Sequence, residues 1–390
     1  YEIGSGLVGS EMCIRDSNHP YPMSLRDFYT DNSFSFLKKS GSLTQRYTVG
    51  INEEISNIEK SLQTYLSPDY QWNTYKWTLS LSVPLRWTGY TGGGFSRISV
   101  NPSLSIIYKL NYAWRFTAHA SYKERYGEMT DLYDRPYQTD YRNSVWNCGI
   151  LPVYRQQLYS VYGEYKNTAR EFFATVNLTH NREWYNRIYE QRIENGQVQR
   201  VSLPLSNHGS GYTVKSTLSK GFYELGLKTS FLVLLNISKA EQISGGQRLP
   251  YQYRLMRLEP KVIWTPNRHW ETSYQTDIRY GGNKIGERTR LAPLWNVTQQ
   301  VQLSYIFSPI EASLSVDHYH NDVNEDQSVN AVFADFSVSW KSGRWQITTT
   351  ATNLFDKRTY AYTQYASLES YTSWVRIRPR EFLVAIRYQL

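Results

Sequence analysis

Residues 75–87 read YKWTLSLSVPLRW, and few folds accept such a stretch. Tyr75, Trp77, Leu79, Leu81, Val83, Leu85 and Trp87 occupy alternate positions, and Lys76, Thr78, Ser80, Ser82, Pro84 and Arg86 occupy the others. A period of two predicts a strand with one apolar face. That face is aromatic at both ends and aliphatic between. A soluble sandwich has no need of this order. In a bilayer, rings settle at the two headgroup boundaries and aliphatic side chains fill the hydrocarbon. Length argues the same way, because strands of soluble domains run about 5–6 residues and a tilted bilayer-crossing strand needs about 9–11. Pro84 brings no N–H to a ladder and predicts a bulge.

The pattern recurs along the chain. Leu104, Ile106 and Tyr108 alternate with Ser103 and Ser105, and Trp114, Phe116, Ala118, Ala120 and Tyr122 alternate with Arg115, Thr117, His119 and Ser121. Val301, Leu303, Tyr305 and Phe307 form another set, and Ala312, Leu314 and Val316 alternate with Ser313, Ser315 and Asp317. Val332, Ala334, Phe336, Val338 and Trp340 follow, then Trp345, Ile347, Thr349 and Ala351. The chain closes on Phe382, Val384, Ile386, Tyr388 and Leu390, alternating with Leu383, Ala385, Arg387 and Gln389. In water, a terminal strand of this kind would be an aggregation hazard.

Composition fits chains that are half lipid-facing and half wet. Tyr accounts for 34 of 390 residues and Trp for 12, yet the mean hydropathy is −0.57. No apolar run reaches the ~18 residues of a transmembrane helix. Cys13 and Cys148 are the two cysteines, too few for a disulfide framework or a cysteine metal cluster. The formal charge is +9, spread without a Lys/Arg block, which suits an anionic membrane surface better than nucleic acid.

Connections alternate in length. Short ones are expected at 110–112, 167–170, 220–223, 265–269, 307–310 and 341–344, and long ones at 88–96, 126–154, 239–250, 281–293, 320–330 and 355–373. Another long hairpin is expected to turn at Asn195-Gly196. Short turns at one end and long loops at the other are how outer-membrane barrels are built. The patterns give about fifteen strands between residues 44 and 390. One is placed over 44–66, although Ile51, Ile55, Ile58, Leu62 and Tyr65 also fit helical spacing, and the loop at 126–154 has room for a hairpin. Bacterial single-chain barrels have even strand numbers, so an odd count predicts a barrel incomplete on its N-terminal side.

Residues 1–17, YEIGSGLVGSEMCIRDS, resemble translated read-through of a sequencing adapter and are set aside as non-native. The expected organisation is then 18–43 as an outer loop or partial strand and 44–390 as the C-terminal part of an all-β, antiparallel transmembrane β-barrel.

The tail, NLFDKRTYAYTQYASLESYTSWVRIRPREFLVAIRYQL, resembles the C-terminal end of TonB-dependent outer-membrane receptors, and more closely the related outer-membrane β-barrel family of Bacteroidota. The matching elements are Asn353-Leu354-Phe355, the Tyr/Ser-rich loop, Arg378-Pro379-Arg380 and the terminal strand. KWTLSLSVPLRW and KLNYAW also fit. The resemblance implies a 22-stranded barrel in the cell outer membrane, plugged by an N-terminal globular domain that lies outside this chain. It implies uptake of a scarce large solute, driven by a TonB-type energy-transducing protein acting on the plug. The expected partners are that protein, outer-membrane lipid and lipopolysaccharide, and the barrel-assembly machinery. Such chains usually end in Phe or Trp, whereas this one ends in Leu390. A passive porin-like barrel and a soluble all-β sugar-binding protein are the competing readings. An upstream plug and energy-coupling box would distinguish the receptor from the porin, and outer-membrane fractionation would exclude the soluble protein.

No catalytic, cofactor or metal site is expected, and the substrate-binding residues and the solute are left unknown. His318 and His320 share one strand face beside Asp317 and Asp322, but no further ligand has a fixed position. Gly92-Gly93-Gly94 precedes a strand, not the helix a phosphate loop requires. The N-x-S/T triplets at Asn177, Asn236 and Asn296 fall within strand patterns. No Ser/His/Asp or paired-carboxylate spacing supports an enzyme. Lys284, Arg288 and Arg290 are candidates for lipopolysaccharide phosphates. Tyr360, Tyr362, Tyr365, Tyr371 and Trp374 are candidates for sugar or peptide capture or for an interface belt.

Overall fold

The computed structural model describes all residues except 1–2, 14–23, 58, 92–93, 140–142, 148, 195–196, 287–288, 291–292, 325, 367–368 and 390. The chain is all-β apart from two single-turn 3₁₀ segments, Met129–Leu132 and Tyr223–Leu225. Its strands are β1 (Ile3–Cys13), β2 (Ser24–Ser40), β3 (Leu43–Ser56), β4 (Lys60–Asn73), β5 (Trp77–Ser82), β6 (Leu85–Tyr90), β7 (Ser96–Val100), β8 (Ser103–Lys109) and β9 (Trp114–Tyr126). There follow β10 (Tyr137–Gln138), β11 (Asn143–Trp146), β12 (Val153–Asn167), β13 (Phe172–Tyr185), β14 (Ile188–Glu194), β15 (Gln197–Leu203), β16 (Asn207–Phe222), β17 (Leu227–Ser244) and β18 (Gln247–Asn267). The last are β19 (Trp270–Ile285), β20 (Thr289–Arg290), β21 (Leu294–Phe307), β22 (Ile310–Asp322), β23 (Ser328–Ser342), β24 (Trp345–Thr352), β25 (Thr359–Ala366), β26 (Glu369–Arg376) and β27 (Glu381–Tyr388). Among the described residues, 25 strands are hydrogen-bonded into one sheet, and β25 and β26 form a separate hairpin. Among the described registers, pairing is antiparallel except for the short parallel contacts β11–β15 and β14–β17. Contacts divide the chain into two compact units: Tyr1–Tyr162 with Thr179–Gly211 and Lys239–Pro250, and Gly163–Leu178 with Tyr212–Ser238 and Tyr251–Leu390.

In the second unit, β18, β19, β21, β22, β23, β24 and β27 form an up-and-down meander whose registers sort every side chain onto one of two faces. One row runs Thr272, Leu303, Leu314, Phe336, Ala351, Phe382. The next on the same face runs Trp270, Tyr305, Ala312, Val338, Thr349, Val384. On the opposite face the corresponding rows run Glu271, Ser304, Ser313, Ser337, Thr350 and Ser273, Gln302, Ser315, Asp335. The sequence-derived apolar sets therefore join into one continuous surface.

Rings border that surface. At the short-turn end, Trp270 lies 4.7 Å from Tyr305 and Trp345 lies 4.8 Å from Tyr388, measured between ring centroids. At the other end, Tyr280 and Trp295 meet at 4.9 Å. Some polar groups on this face bond to one another. Gln299 donates to the Tyr274 hydroxyl at 3.3 Å, and its Oε1 is 3.1 Å from His318 Nδ1.

The first unit repeats the arrangement. Trp72, Leu79, Ile106 and Ala118 make one apolar row, and Phe34, Val49, Leu66, Leu85 and Val100 make another. Trp77 stacks on Tyr108 at 4.3 Å. The opposite face carries Asp31, Asn52, Gln63, Thr88 and Arg97 in one row. Pro84 interrupts its strand but makes no bulge, since the register with β4 continues unshifted from the pair Asp69 and Ser82 to the pair Leu66 and Leu85, and it is part of a line of prolines. Val83 N–H donates to Pro68 O (3.1 Å), Asn101 N–H to Pro84 O (2.9 Å) and Tyr122 N–H to Pro102 O (3.0 Å). Each proline keeps its acceptor in the ladder and leaves out its donor.

Some expectations need correction. The stretch 44–66 is two strands, β3 and part of β4, because Ser56 turns the chain: its N–H and hydroxyl both bond to Glu59 O. The apparent helical spacing came from reading across that turn, and one strand is added to the expected count. The loop at 126–154 does hold a short hairpin, β10–β11. The long connections at 239–250 and 355–373 are hairpins too. The first turns at Gly245-Gly246, whose φ values of 57° and 75° suit a tight two-residue turn. The second puts Trp374 in β26, so the last strand starts at Glu381 and not at 374. Residues 24–40 form a strand. The turn expected at Asn195-Gly196 lies outside the described residues.

The short turns fall where expected. One of them depends on glycine. Gly226 has φ 59°, and a Cβ there would lie 2.0 Å from Thr265 O. Gly226→Ala is expected to cost about 2 kcal/mol, from left-handed strain plus displacement of that backbone. Denaturant unfolding of the two proteins in the same micelle measures this, and an unchanged midpoint would refute the stated turn geometry.

Candidate functional site

On the polar face of the second unit, near the strand ends that carry the long connections, lies a cavity of about 580 Å³. Ligand pockets typically measure about 300–1,000 Å³. Alternation along β18 and β19 puts Tyr253, Leu255 and Arg257 on the same face as Asp277, Arg279 and Gly281, and the register makes Arg257 the partner of Arg279. Asn296 lies opposite Arg279, and Asn321 lies opposite Asn296. The β25–β26 hairpin forms another wall. Asn321 Nδ2 donates to Ala361 O at 3.1 Å, and Tyr360 meets Tyr319 edge-on at 5.2 Å. Tyr362 follows at 5.9 Å from Tyr360, and Thr363 bonds to Thr372 at 2.8 Å.

Electrostatically the floor is closed on itself. Arg257 donates to both Asp277 oxygens at 3.0 and 3.1 Å, and Arg279 donates twice to Oδ2 at 2.9 and 2.6 Å. Glu259 pairs with Arg257. Two guanidinium groups thus face two carboxylates. Asp277 is 14% exposed while Arg279 is 48% exposed, so the cation reaches further into the cavity. Asn296 Oδ1 is buried and accepts no hydrogen bond.

The hairpin is held at its base by Asn353, the first residue of the tail motif. Asn353 is left-handed (φ 50°) and buried. Its N–H donates to Asp335 Oδ1 at 2.8 Å, and its amide donates to Lys357 O (2.8 Å) and Arg378 O (2.9 Å). Its Oδ1 accepts from Lys357 N–H at 2.9 Å. Beside it, Asp356 accepts from Arg380 N–H at 3.0 Å and from Arg358 Nη2 at 2.9 Å. These two donors, the backbone N–H first, hold the Asp356 carboxyl below the usual aspartate range. A depressed carboxylate pKa stabilises the folded arrangement above the ordinary value. That contribution is lost as pH falls through the depressed one. Exchange of the Arg380 amide, corrected for intrinsic rate, is therefore expected to stay level from neutral pH to about 5 and to rise below about 4. In Asp356→Asn it is expected to be faster throughout and level with pH. A rise centred near neutrality would assign the linkage to another group.

The residues singled out in the sequence disperse. His318 and His320 lie on the apolar face. His318 is engaged with Gln299, and His320 with Asn330 (2.9 Å) and Asp322 (3.4 Å). Lys284 lies beyond Tyr280 and pairs in register with Arg290, while Arg288 lies outside the described residues. Gly92 and Gly93 also lie outside them. Of the five rings at 360–374, Tyr360 and Tyr362 line the cavity and Trp374 is 67% exposed. The side chains of Tyr365 and Tyr371 are outside the described residues. Arg257, Asp277 and Arg279 were not singled out, and Asn296 was noted only as the first residue of an N-x-S/T triplet. Strand alternation could have assigned their face, but their proximity depends on cross-strand register.

No family model matches the sequence, and no curated protein matches it. Among solved structures the chain is similar to a mutant ferric enterobactin receptor of Pseudomonas aeruginosa, at 9% identity over 99% of this chain and 81% of that one, with a TM-score of 0.34. It is also similar to the copper transporter OprC, at 11% over 94% and 73%, TM-score 0.37. A third is the ferric preacinetobactin receptor BauA of Acinetobacter baumannii, at 10% over 94% and 78%, TM-score 0.33. Values this low leave function to rest on the chain's own residues.

Proposed function

We propose that these strands form the barrel of an outer-membrane receptor of the TonB-dependent type, and that the cavity beside the β25–β26 hairpin holds a solute during uptake. The supporting observation is the spacing of the two ring borders on the apolar face. On β21, Trp295 and Tyr305 are ten residues apart, as are Tyr280 and Trp270 on β19. Ten residues span about 33 Å along a strand. A tilt of about 40° reduces this to about 25 Å, the height of the apolar band of outer-membrane barrels. In the first unit, Trp77 and Trp87 repeat the interval.

On this reading the polar face lines the lumen and the long connections face outward. A TonB-type protein would act through a plug, which the sequence resemblance places on the N-terminal side of the barrel. Lipopolysaccharide would surround the outward rim. The test is tryptophan quenching by lipids brominated at different depths, with the full chain folded into vesicles. Shallow bromines are expected to quench more strongly than bromines at the bilayer centre. Equal fluorescence in brominated and unbrominated vesicles would refute membrane insertion.

A further inference from the structure

We infer that the short-turn end of the first unit binds anionic phospholipid headgroups through a row of cations beside its ring border. The inference rests on the membrane reading, since only strands that cross a bilayer put these turns at headgroup depth. Three observations carry it. The first is a charge polarity along the strands. Residues 36–46, 70–80 and 106–116 hold the turns between β2 and β3, β4 and β5, and β8 and β9. They contain Lys38, Lys39, Arg46, Lys76, Lys109 and Arg115, and no Asp or Glu. The opposite ends of the same strands carry Asp27, Glu53, Glu54, Glu59 and Glu124.

The second is the arrangement of the cations. Lys109 N–H donates to Lys76 O at 2.8 Å, and Lys109 pairs in register with Arg115. Lys76, Lys109 and Arg115 are therefore cross-strand neighbours, and all are exposed. Like charges placed opposite one another disfavour the sheet unless an anion offsets them.

The third is depth. Lys76 precedes Trp77, Lys109 follows Tyr108, and Trp77 and Tyr108 are the stacked pair of the ring border. Rings mark the headgroup boundary, and one residue along a strand advances about 3 Å, so the charges reach the level of the phosphates. Long aliphatic stems let the ammonium groups turn into that layer. Tyr75 and Tyr112, in two of these turns, are 91% and 98% exposed, and a ring that ends in a hydroxyl suits the same layer. A phosphate diester accepts from two lysines at once and supplies the missing countercharge. A zwitterionic headgroup brings its own ammonium and leaves the row uncompensated.

The experiment is lipid competition, read by native mass spectrometry of the full chain in detergent micelles. Phosphatidylglycerol and phosphatidylcholine with identical acyl chains are added in equal amounts, and retained lipid is counted. The parent is compared with Lys76→Gln/Lys109→Gln and with Lys60→Gln/Lys123→Gln, which removes the same charge at the other end of the strands. Heat-modifiable mobility checks that each is folded. The parent is expected to retain phosphatidylglycerol over phosphatidylcholine by about fivefold or more, the factor contributed by one cation near an anionic lipid surface. The first double variant is expected to show no preference, and the second to keep that of the parent. No preference in the parent, or the same preference in all three proteins, would overturn the inference and leave the membrane reading standing. Poly-glutamate bound by the parent in place of phosphatidylglycerol, and not by the first variant, would assign the row to an acidic protein and overturn the lipid. Insertion itself is decided by the bromine quenching in vesicles, and its absence would overturn both readings.

Discussion

Val301→Arg is expected to lower folding stability in lipid vesicles by about 2–4 kcal/mol, the cost of an arginine near the midplane of a barrel's lipid face. The neighbouring change Gln302→Arg is expected to cost less than about 0.5 kcal/mol, as surface substitutions usually do. The two residues are adjacent in sequence and opposite in consequence. Val301 sits between Tyr274 and Val316 on the apolar face, roughly midway between the ring borders, and Gln302 sits between Ser273 and Ser315 on the polar one. Urea unfolding of each variant against the parent, in vesicles of one composition, measures the difference. Similar costs for both would mean that the faces do not meet different solvents, and the membrane reading would fall.

Asn353→Ala is expected to cost about 3 kcal/mol. The alanine must hold a left-handed backbone, worth about 1–2 kcal/mol against it. It also leaves Lys357 N–H, Lys357 O and Arg378 O without the partner they have now, and unmet buried groups cost about 1–3 kcal/mol each when water cannot reach them. Substitutions that keep part of the arrangement should rank between. Asn353→Gly keeps the backbone angle and loses the side-chain bonds, and Asn353→Asp keeps the acceptor for Lys357 N–H and loses both donations. Unfolding midpoints give the ranking. Hydrogen exchange should show faster opening over 359–376 in the same order. If alanine, glycine and aspartate were equivalent, the bonding pattern assigned to Asn353 would be wrong.

The sequence was most informative where one physical rule acts on each residue independently. Alternation in 301–307, 312–316 and 332–340 assigned every one of those side chains to its face, because a strand has no other way to arrange them. It failed where two distant segments decide jointly. The cluster of Arg257, Asp277 and Arg279 exists because the register pairs 257 with 279, and nothing in either strand alone encodes that pairing. The error over 44–66 has a local cause. The turn beginning at Ser56 lacks the glycine or proline that usually marks one, so the two strands read as a single stretch. The tail motif was recognised as a string before its work was known. Asn353 and Asp356 fasten the base of the hairpin, which is why polar residues stand at a strand end otherwise made of Thr and Ala.

The interval between ring borders has a consequence for the surrounding lipid. A band of about 25 Å is shorter than the ~30 Å hydrocarbon core of an ordinary bilayer. Mismatch costs a fraction of a kcal/mol per ångström, so acyl chains around this protein would be compressed into a thinner collar. The protein would insert most readily where that compression is already supplied, in vesicles of short-chain lipids and in membranes thinner than average.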